Sequence, residues 1–410
     1  MSGCKETTKK EIIKEKKQLT ASDILGNPEY LAMSYGGYRQ KTRDVQPTLP
    51  QIKEDMKILH AMGIRIIRTY NVQLQQAPNI LKAISELKAE DSTFEMYVML
   101  GAWIDCKNAW TDKAPDHEIE SEQNEGEIAR AVALANLYPD IVKILAVGNE
   151  AMVHWATSYF VRPNVILKWV NYLQNLKKKG ELPKDLWITS SDDFSSWGGG
   201  DPVYHTEDLE RLIKAVDYIS MHTYPMHNTH YNPAFWLVPE DERDLSDSLK
   251  VESAMQRSLK FAQKQYDSVS NYVKSLGVNK PIHIGETGWA TVSTDLYGAE
   301  GSRACDEYKS GQYYELIRKW TNSNTISCFY FEAFDEQWKD AGNPLGSENH
   351  FGLINLKSQG KYAIWDLVDQ GVFDGLTRDG KPITKTYNGN LKELKKDVLV
   401  PPSAVMAPSE

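Results

Sequence analysis

Cysteine is scarce in this sequence, with four residues in 410. The spacing of Cys4, Cys106, Cys305 and Cys328 fits neither a zinc knuckle nor a redox CxxC pair. Cys328 lies in an apolar run and is predicted to be a buried thiol, whereas Cys106 and Cys305 could pair only if the fold brings them together. We therefore expect neither a zinc-knuckle protein nor a dithiol redox protein.

Long apolar runs and positive net charge are lacking as well. No run approaches the ~20 residues that span a membrane. The 47 Lys and Arg against 56 Asp and Glu leave a net charge of −9. A negative chain is poorly suited to nucleic acid or to an anionic membrane surface, because both are polyanions. Neither is expected as the main partner, whereas a neutral polymer is compatible with this charge.

The start of the chain resembles the end of a bacterial lipoprotein signal, in which small residues precede a cysteine, here Ser2-Gly3-Cys4. No basic or apolar signal region precedes them in this chain. The Lys- and Glu-rich stretch up to Lys17 is typical of a charged, flexible spacer. We expect residues 1–27 to be a flexible spacer with a lipid anchor at Cys4, and the protein to be extracellular or at the cell surface, as an outer-membrane lipoprotein. The alternative is a chance match of four residues.

Short β-rich runs alternate with helical segments from about residue 28 onward. Most runs are nearly continuous in apolar residues, which is typical of strands buried on both faces of a parallel sheet. They are Tyr30–Tyr38, Ile64–Asn71, Phe94–Asp105, Ile141–Glu150, Leu186–Phe194, Val216–Pro225, Pro281–Trp289 and Ile326–Glu336. Eightfold alternation predicts an α/β fold closed into a (β/α)8 barrel. An open, doubly wound sheet is the alternative, but no GxGxxG follows any run.

The segments between these runs are amphipathic and are predicted to be helices. They are Leu49–Met62, Ile80–Leu87, Glu118–Ala135, Val165–Lys179, Thr206–Ala215, Ser248–Leu276 and Asp306–Trp320. We expect the barrel to occupy residues 28–375, with elongated loops at its catalytic face. Residues 376–410 are expected to form a C-terminal extension that is packed on the barrel or partly flexible. Gly375–Lys381 has the skeleton of a phosphate loop, but Pro382 stands where Ser or Thr is required, so we predict a β-turn.

Two glutamates, Glu150 and Glu286, end apolar runs in the fourth and seventh predicted strands. A carboxylate in such a place needs a partner or a shifted pKa, and a buried salt bridge is the ordinary explanation for one of them alone. A pair is different, because the carboxyl ends of barrel strands meet at one face. Glycoside hydrolysis uses one carboxylic acid and one carboxylate, about 5–5.5 Å apart when configuration is retained. The pair therefore favours a glycosidase over a buried salt bridge.

The motifs around these glutamates resemble the signature blocks of glycoside hydrolase family 17. The blocks are Arg65–Asn71, Val147–Glu150, Gly285–Trp289 and Phe331–Lys339. The resemblance implies endo-acting hydrolysis of β-1,3-glucan, or of mixed β-1,3/1,4-glucan, through a covalent glycosyl-enzyme, with no metal and no cofactor. It makes Glu150 the acid/base and Glu286 the nucleophile.

The resemblance also implies substrate contacts. Asn149 would bond the sugar 2-hydroxyl, Tyr224 would hydrogen-bond Glu286, and Glu336 and Lys339 would contact the sugar near the cleavage point. Further substrate-binding residues are predicted at other strand ends: Tyr38, Arg68, Tyr70, Asn71, Trp103, Trp155, Trp289 and Glu332. Aromatic rings stack on sugars. We therefore expect at least half of the tryptophans after strands or in long loops to face the cleft: Trp103, Trp155, Trp197, Trp236, Trp289 and Trp338.

Other functions are compatible with the same residues. A β-1,3-glucan transglycosylase or an exo-acting β-1,3-glucosidase of this family are alternatives, because the long loops could wall off one end of the cleft. A non-catalytic glucan-binding surface protein is the alternative from another class, and the presence of both glutamates argues against it. A zinc site is a weaker interpretation of four histidines, which we expect to contact sugar or solvent instead: His205, His222, His227 and His230. We expect a monomer.

Overall fold

The computed structural model describes residues 18–404, and its centre is a closed barrel of eight parallel strands in sequential order. The strands, labelled β1–β8, are Leu31–Ser34, Ile64–Arg68, Tyr97–Ala102, Val142–Asn149, Trp187–Asp193, Ile219–His222, Ile282–Thr287 and Cys328–Tyr330. β1 closes the barrel by pairing with both β2 and β8. The predicted (β/α)8 barrel is confirmed, and each strand lies within its predicted run.

A helix follows each strand. The helices, labelled α1–α8, are Leu49–Ala61, Gln76–Glu90, Gln123–Leu137, Pro163–Lys179, Glu207–Ala215, Asp247–Ser275, Glu307–Ser323 and the short Trp365–Asp369. Local signals set their ends. Thr48 caps α1 together with Gln51, and α4 begins at Pro163 and ends before Gly180, whose φ of 77° suits glycine. Shorter helices are Ala21–Ile24, Pro225–Tyr231 and Leu391–Leu394.

The segment after β3 differs from the prediction. Asp116–Glu120 is a strand paired antiparallel with Cys106–Lys107, and α3 begins only at Gln123. Glu120 accepts a hydrogen bond of 2.7 Å from Nε1 of Trp169 on α4, and it forms an ion pair with Lys168. These partners are distant in sequence, so they hold as a hairpin a Glu-rich stretch whose composition favours a helix.

Residues 18–27 form part of the barrel. Ala21 and Ile24 are fully buried and pack against Ile66, Met99 and Ile144 in the barrel interior. The Gly26 amide donates to Oγ of Ser327, just before β8. The predicted spacer is therefore wrong for residues 18–27, which close the amino-terminal end of the barrel. The proposed anchor residue Cys4 and the charged stretch up to Lys17 lie outside the described residues.

The C-terminal segment packs on the barrel as far as residue 404. Arg378 donates from Nε to Asp55 of α1 at 3.0 Å, and Lys309 of α7 donates to the Leu399 carbonyl at 2.6 Å. Thr377–Arg378 and Lys381–Pro382 form the predicted tight turn as a small hairpin. Of the two alternatives for this segment, the packed one is correct over residues 376–404.

The three cysteines in the described part of the chain, Cys106, Cys305 and Cys328, are free and buried, so Cys106 and Cys305 do not pair. Among residues 18–404, no helix combines the length and apolarity needed to cross a bilayer.

Candidate active site

The two predicted catalytic glutamates meet at the carboxyl-terminal mouth of the barrel. Glu150 directly follows β4, and Glu286 lies near the end of β7. Glu150 has a left-handed φ of 46°, and its amide donates to the Ser191 carbonyl on β5 at 2.9 Å. A carboxylate oxygen of Glu150 lies within 4.8 Å of one of Glu286. This separation suits direct attack at a sugar carbon held between them.

Three donors surround the carboxylate of Glu286. Arg68 donates from Nη1 to Oε2 at 2.6 Å, the Tyr70 hydroxyl donates to Oε2 at 3.0 Å, and the Tyr224 hydroxyl donates to Oε1 at 2.6 Å. The bond from Tyr224 is the one that the resemblance implied. Burial alone would raise the pKa of Glu286, but the charges of His222 and Arg68 and the two phenol donors lower it. Glu286 is therefore held as a carboxylate.

Glu150 has the opposite environment. Burial raises the pKa of Glu150 well above its ordinary value, and the negative charges of Glu286 and Asp193 raise it further. Its hydrogen-bond partner is Nδ1 of His222, 3.0 Å from Oε1. One carboxyl group is thus kept protonated and its neighbour ionised, which is the division that a pair of catalytic carboxyl groups needs.

His222 is the last residue of β6 and is fully buried beside Glu150. The expectation that it contacts sugar or solvent is therefore wrong. Burial lowers the pKa of His222 to about 4. Its ring is uncharged near neutral pH, so at that pH Arg68 and the two phenol donors, and not a charge on His222, hold Glu286 ionised.

A cavity of about 760 Å³ opens beside Glu286. Most of the predicted substrate-binding residues line it: Tyr38, Tyr70, Asn71, Trp103, Asn149, Glu332, Glu336 and Lys339. One wall is aromatic, because Trp103 and Trp110 each stand 5.1 Å from the Tyr159 ring, between centroids. Trp110 is 64% exposed. Such a wall offers flat rings to a flat ligand.

The opposite wall comes from the segments after β1 and β8. Arg43 lies 4.4 Å above the Trp338 ring, and Tyr38 meets the same ring edge-on at 5.9 Å. Arg43, like Tyr159, lines the cavity but has no sequence signal that singles it out, since neither residue follows a strand directly.

Glu332, Glu336 and Lys339 form one buried ionic cluster at the cavity wall. Lys339 pairs with Glu332, and its Nζ lies 3.7 Å from Oε2 of Glu336. Glu336 also accepts from the Tyr38 amide at 2.9 Å and from Nε1 of Trp338 at 2.8 Å. The cluster fixes the charged groups of the segment after β8 next to the bound ligand's expected position.

Several predicted contacts lie elsewhere. Trp289 is fully buried, donates from Nε1 to the Ala304 carbonyl at 2.9 Å, and packs on Trp236 and Tyr313, so the prediction that it binds substrate is wrong. Trp197 and Trp236 are also fully buried. Of the six tryptophans, Trp103 and Trp338 line the cavity. The expectation that at least half face the cleft therefore depends on Trp155 and stays a prediction.

Arg68 and Trp155, which were also predicted to bind substrate, do not line the cavity. Arg68 is buried beneath the site and contacts Glu286 and Asn149, so it supports the carboxylate and presents no surface to a ligand. Trp155 is 61% exposed on the loop after β4 and is not among the residues that line the cavity. Its contact with substrate stays a prediction.

Metal-type ligands come together in the described residues at Glu150, His222 and Glu286, whose ligand atoms lie within 4.8 Å of one another. The Arg68 guanidinium, 2.6 Å from Glu286, opposes a cation there. The other three histidines of the zinc interpretation do not join such a group within residues 18–404. His205 contacts the Gly198 carbonyl, and His227 stacks on Tyr224.

Hydrolysis of a glycosidic bond uses one carboxylic acid and one carboxylate beside the anomeric carbon, and this barrel mouth supplies such a pair. The fold and the site therefore define a barrel glycoside hydrolase. The family model described as the BtgE/BtgC glycoside hydrolase domain matches residues 32–352, and the chain belongs to this family.

The chain is similar to proteins that act on β-1,3-glucan. The crystal structure of an endo-laminarinase from Formosa Hel1_33_131 superposes with a TM-score of 0.93 at 66% identity, covering 96% of this chain and 99% of that chain. The putative glucan endo-1,3-beta-glucosidase btgC of Aspergillus niger is 23% identical over 320 residues, which are 75% of this chain and 39% of the relative. The chain thus spans about two fifths of that curated relative.

A more distant structure shares the fold. The glycoside hydrolase family 17 β-1,3-glucanosyltransferase from Rhizomucor miehei has a TM-score of 0.55 and 18% identity, covering 82% of this chain and 96% of that chain. This likeness shows a shared fold. The resemblance that the sequence motifs indicated is confirmed by the family match and by the similarity to the Formosa endo-laminarinase.

Proposed function

We propose that the protein is a retaining, endo-acting β-1,3-glucanase that cleaves laminarin-type glucan. One observation carries the chemistry: Glu150 and Glu286 stand within 4.8 Å of each other, with pKa shifts in opposite directions. The substrate class is supported by the 66% identity to the Formosa endo-laminarinase over nearly the whole of both chains.

In the first step Glu286 attacks the anomeric carbon, and the bond from that carbon to the leaving sugar oxygen breaks. Glu150 donates its proton to this oxygen. Arg68, Tyr70 and Tyr224 hold Glu286 ionised and oriented, so the nucleophile needs no activation by a separate base.

In the second step water attacks the anomeric carbon, and Glu150 takes the proton of the water. The bond from that carbon to Glu286 breaks, which releases the sugar and restores the Glu286 carboxylate. The switch from acid to base has a physical cause. The negative charge of Glu286 helps to raise the pKa of Glu150. This charge disappears when Glu286 becomes an ester, so the pKa of Glu150 falls and its carboxylate becomes available as the base.

Endo action is supported by the distribution of binding groups. The cavity is bordered by Trp103 and Trp110 on one side and by Tyr38 and Trp338 on the other. Rings placed along a cleft bind successive sugars of a chain, and remote binding energy raises the rate at the reacting centre. The net charge of −9 does not repel a neutral polymer.

The test is the product ladder from a soluble β-1,3-glucan within the first minutes, with β-1,4-glucan and mixed-linkage glucan as controls. We expect oligomers of mixed medium length from β-1,3-glucan. Glucose or one short oligomer as the sole early product would indicate an exo-acting enzyme, and products longer than an oligomeric substrate would indicate transfer. The Glu286→Ala variant controls for contaminating activity.

We also propose that the protein acts outside the cell or at the cell surface, tethered through Cys4, and as a monomer. Support for the tether is the sequence pattern Ser2-Gly3-Cys4 alone. Cell fractionation with mass spectrometry of the N-terminal peptide tests the tether, and a soluble protein with unmodified Cys4 would exclude it. Light scattering on the purified protein tests the monomer.

A further inference from the structure

A line of buried polar side chains runs from the carboxyl group of Glu150 into the barrel. Nδ1 of His222 lies 3.0 Å from Oε1 of Glu150, and Nε2 of the same ring lies 2.8 Å from Oγ of Ser191. Ser191 Oγ is in turn 2.9 Å from Oγ of Ser220. His222, Ser191 and Ser220 are all fully buried, so bulk water does not exchange with these bonds.

Gly285 leaves room for this line. A Cβ at position 285 would stand 2.1 Å from Oγ of Ser220 and 2.5 Å from Oγ of Ser191. Any side chain there would displace both hydroxyl groups. The other carboxyl oxygen of Glu150, Oε2, has no hydrogen-bond partner among residues 18–404, so His222 supplies the protein's hydrogen-bonding control of this group.

The tautomer of His222 decides where the proton of Glu150 resides. A neutral imidazole has one donor and one acceptor nitrogen, whereas a serine hydroxyl serves as either. With a proton on Nδ1, the ring donates to Oε1, and Ser191 donates to Nε2. Oε1 then accepts whether Glu150 is ionised or protonated on Oε2. The opposite tautomer requires the proton on Oε1, facing the ring and away from any leaving group.

We propose that His222 is a positioning residue for Glu150, held in place by Ser191 and present as the Nδ1–H tautomer because the ionised Oε1 can only accept, so that the transferable proton stays on Oε2. The proposal rests on the proposed role of Glu150 as the acid/base. It assigns to Ser191 the hydrogen bond donated to Nε2, and to His222 the same donor role in both steps of the reaction.

Charged groups face His222 from four strands. Glu150 follows β4, Asp192 and Asp193 end β5, Glu286 is on β7 and Arg68 is on β2. Their effects partly cancel, and burial dominates, so the ring stays neutral above about pH 4. The pH dependence that His222 imposes is therefore expressed through the titration of Glu150.

The test is the pH profile of kcat/KM on laminarin for His222→Leu, His222→Asn and His283→Leu. A donor to Oε1 stabilises the ionised form of Glu150, so its loss in His222→Leu raises the pKa of Glu150. We expect the alkaline limb to move up by about one pH unit, the order expected for one lost hydrogen bond to a charged group. Asparagine retains an N–H donor, and the limb should return toward the native position.

His283 provides the matched control. It is also a buried histidine with a pKa of about 4, but its Nδ1 accepts from the Ser327 amide at 3.1 Å, at the other end of the barrel. His283→Leu should leave the limb in place. An unmoved limb in His222→Leu would show a merely structural role, and a downward shift would show that His222 accepts; either result overturns the proposal.

A direct measurement does not depend on a variant that folds. Nitrogen-15 NMR of histidine-labelled native protein distinguishes a protonated from a bare ring nitrogen. We expect Nδ1 protonated and Nε2 bare for His222 at neutral pH, and the reverse overturns the proposal. Glu150→Ala, assayed in parallel, distinguishes failure of this proposal from failure of the acid/base assignment. If Glu150→Ala retains activity on polymer, the assignment of Glu150 as the acid fails. If only the His222 tests fail, that assignment is intact.

Discussion

Arg68 donates a hydrogen bond of 2.6 Å from Nη1 to Oε2 of Glu286. Nη2 of the same guanidinium donates to Oδ1 of Asn149, the residue before Glu150. A single buried cation on β2 therefore ties β7, the strand of the proposed nucleophile, to β4, the strand of the proposed acid/base. The two terminal nitrogens of the planar guanidinium group reach Glu286 and Asn149 at once. Lysine has a single ammonium group and therefore cannot replace arginine here.

This contact predicts the effect of Arg68→Met. Loss of the positive charge raises the pKa of Glu286, so the acidic limb of kcat/KM should move to higher pH. The rate at the optimum should fall on the order of 10²- to 10³-fold, as for other preorganised electrostatic groups. Arg65→Met is the control, because Arg65 lies on the same strand but donates to the His60 carbonyl. A limb that stays in place in Arg68→Met would contradict the assignment.

The two glutamates should fail differently. Glu286→Ala should abolish turnover, and azide should restore it with inverted anomeric product, because azide replaces the missing nucleophile. Glu150→Ala should keep the first step on an activated aryl glycoside, whose leaving group needs no acid, and azide should then yield the β-azide. Product configuration by proton NMR is the measurement. Near-normal activity of both variants on polymer would exclude this pair.

The opposite pKa shifts predict a bell-shaped pH profile. Activity requires Glu286 ionised and Glu150 protonated, so the acidic limb follows Glu286 and the alkaline limb follows Glu150. Measurement of kcat/KM across the carboxylate range checks this expectation. A flat profile there would count against the pair.

Stability should respond to Glu150 as well. The pKa of Glu150 is raised in the folded state, so its contribution to stability is present below the unfolded pKa and is lost as pH rises through the folded pKa. Glu150→Gln should therefore raise Tm at alkaline pH and give little gain at pH 4. Calorimetry at the two pH values measures the difference. An equal Tm gain at both would show that charge is not the cause.

The exposed ring of Trp110 predicts dependence on chain length. Trp110→Ala removes a stacking surface, and KM for long oligomers should rise roughly 3- to 10-fold, the effect expected for one aromatic contact, with little change for the shortest substrates. Tyr172→Ala on the outer face of α4 is the control, since Tyr172 is also exposed but contacts Trp169 away from the cavity. Equal losses on short and long substrates would remove Trp110 from the binding surface.

The barrel and its catalytic pair could be predicted because both depend on local sequence. A strand buried on both faces needs an unbroken apolar run, and Glu150 and Glu286 end two such runs. Trp289 follows the same run as Glu286, but its burial depends on Trp236 and Tyr313, which come from distant segments. Nothing in the local pattern distinguishes a cleft tryptophan from a core one.

Non-local contacts also explain why the hairpin after β3 and the surroundings of His222 could not be predicted from the sequence. The hairpin that carries Trp110 is held by Glu120 against Trp169 of α4, a contact that no periodicity reveals. The sequence shows His222 as a polar residue at the end of an apolar run. Its neighbours Ser191 and Ser220 lie on β5 and β6, and only the closed barrel fixes the register of these two strands.

Residues 18–27 also bear on the orientation that the proposed tether would give the enzyme. They enter at the amino-terminal pole of the barrel, with Gln18 bound to Asp140 just before β4, whereas Glu150 and Glu286 stand at the opposite pole. The lipid that we propose on Cys4 would therefore connect to the barrel at the pole opposite the proposed catalytic residues. The open mouth of the barrel would then face away from the membrane, toward polysaccharide chains in the medium.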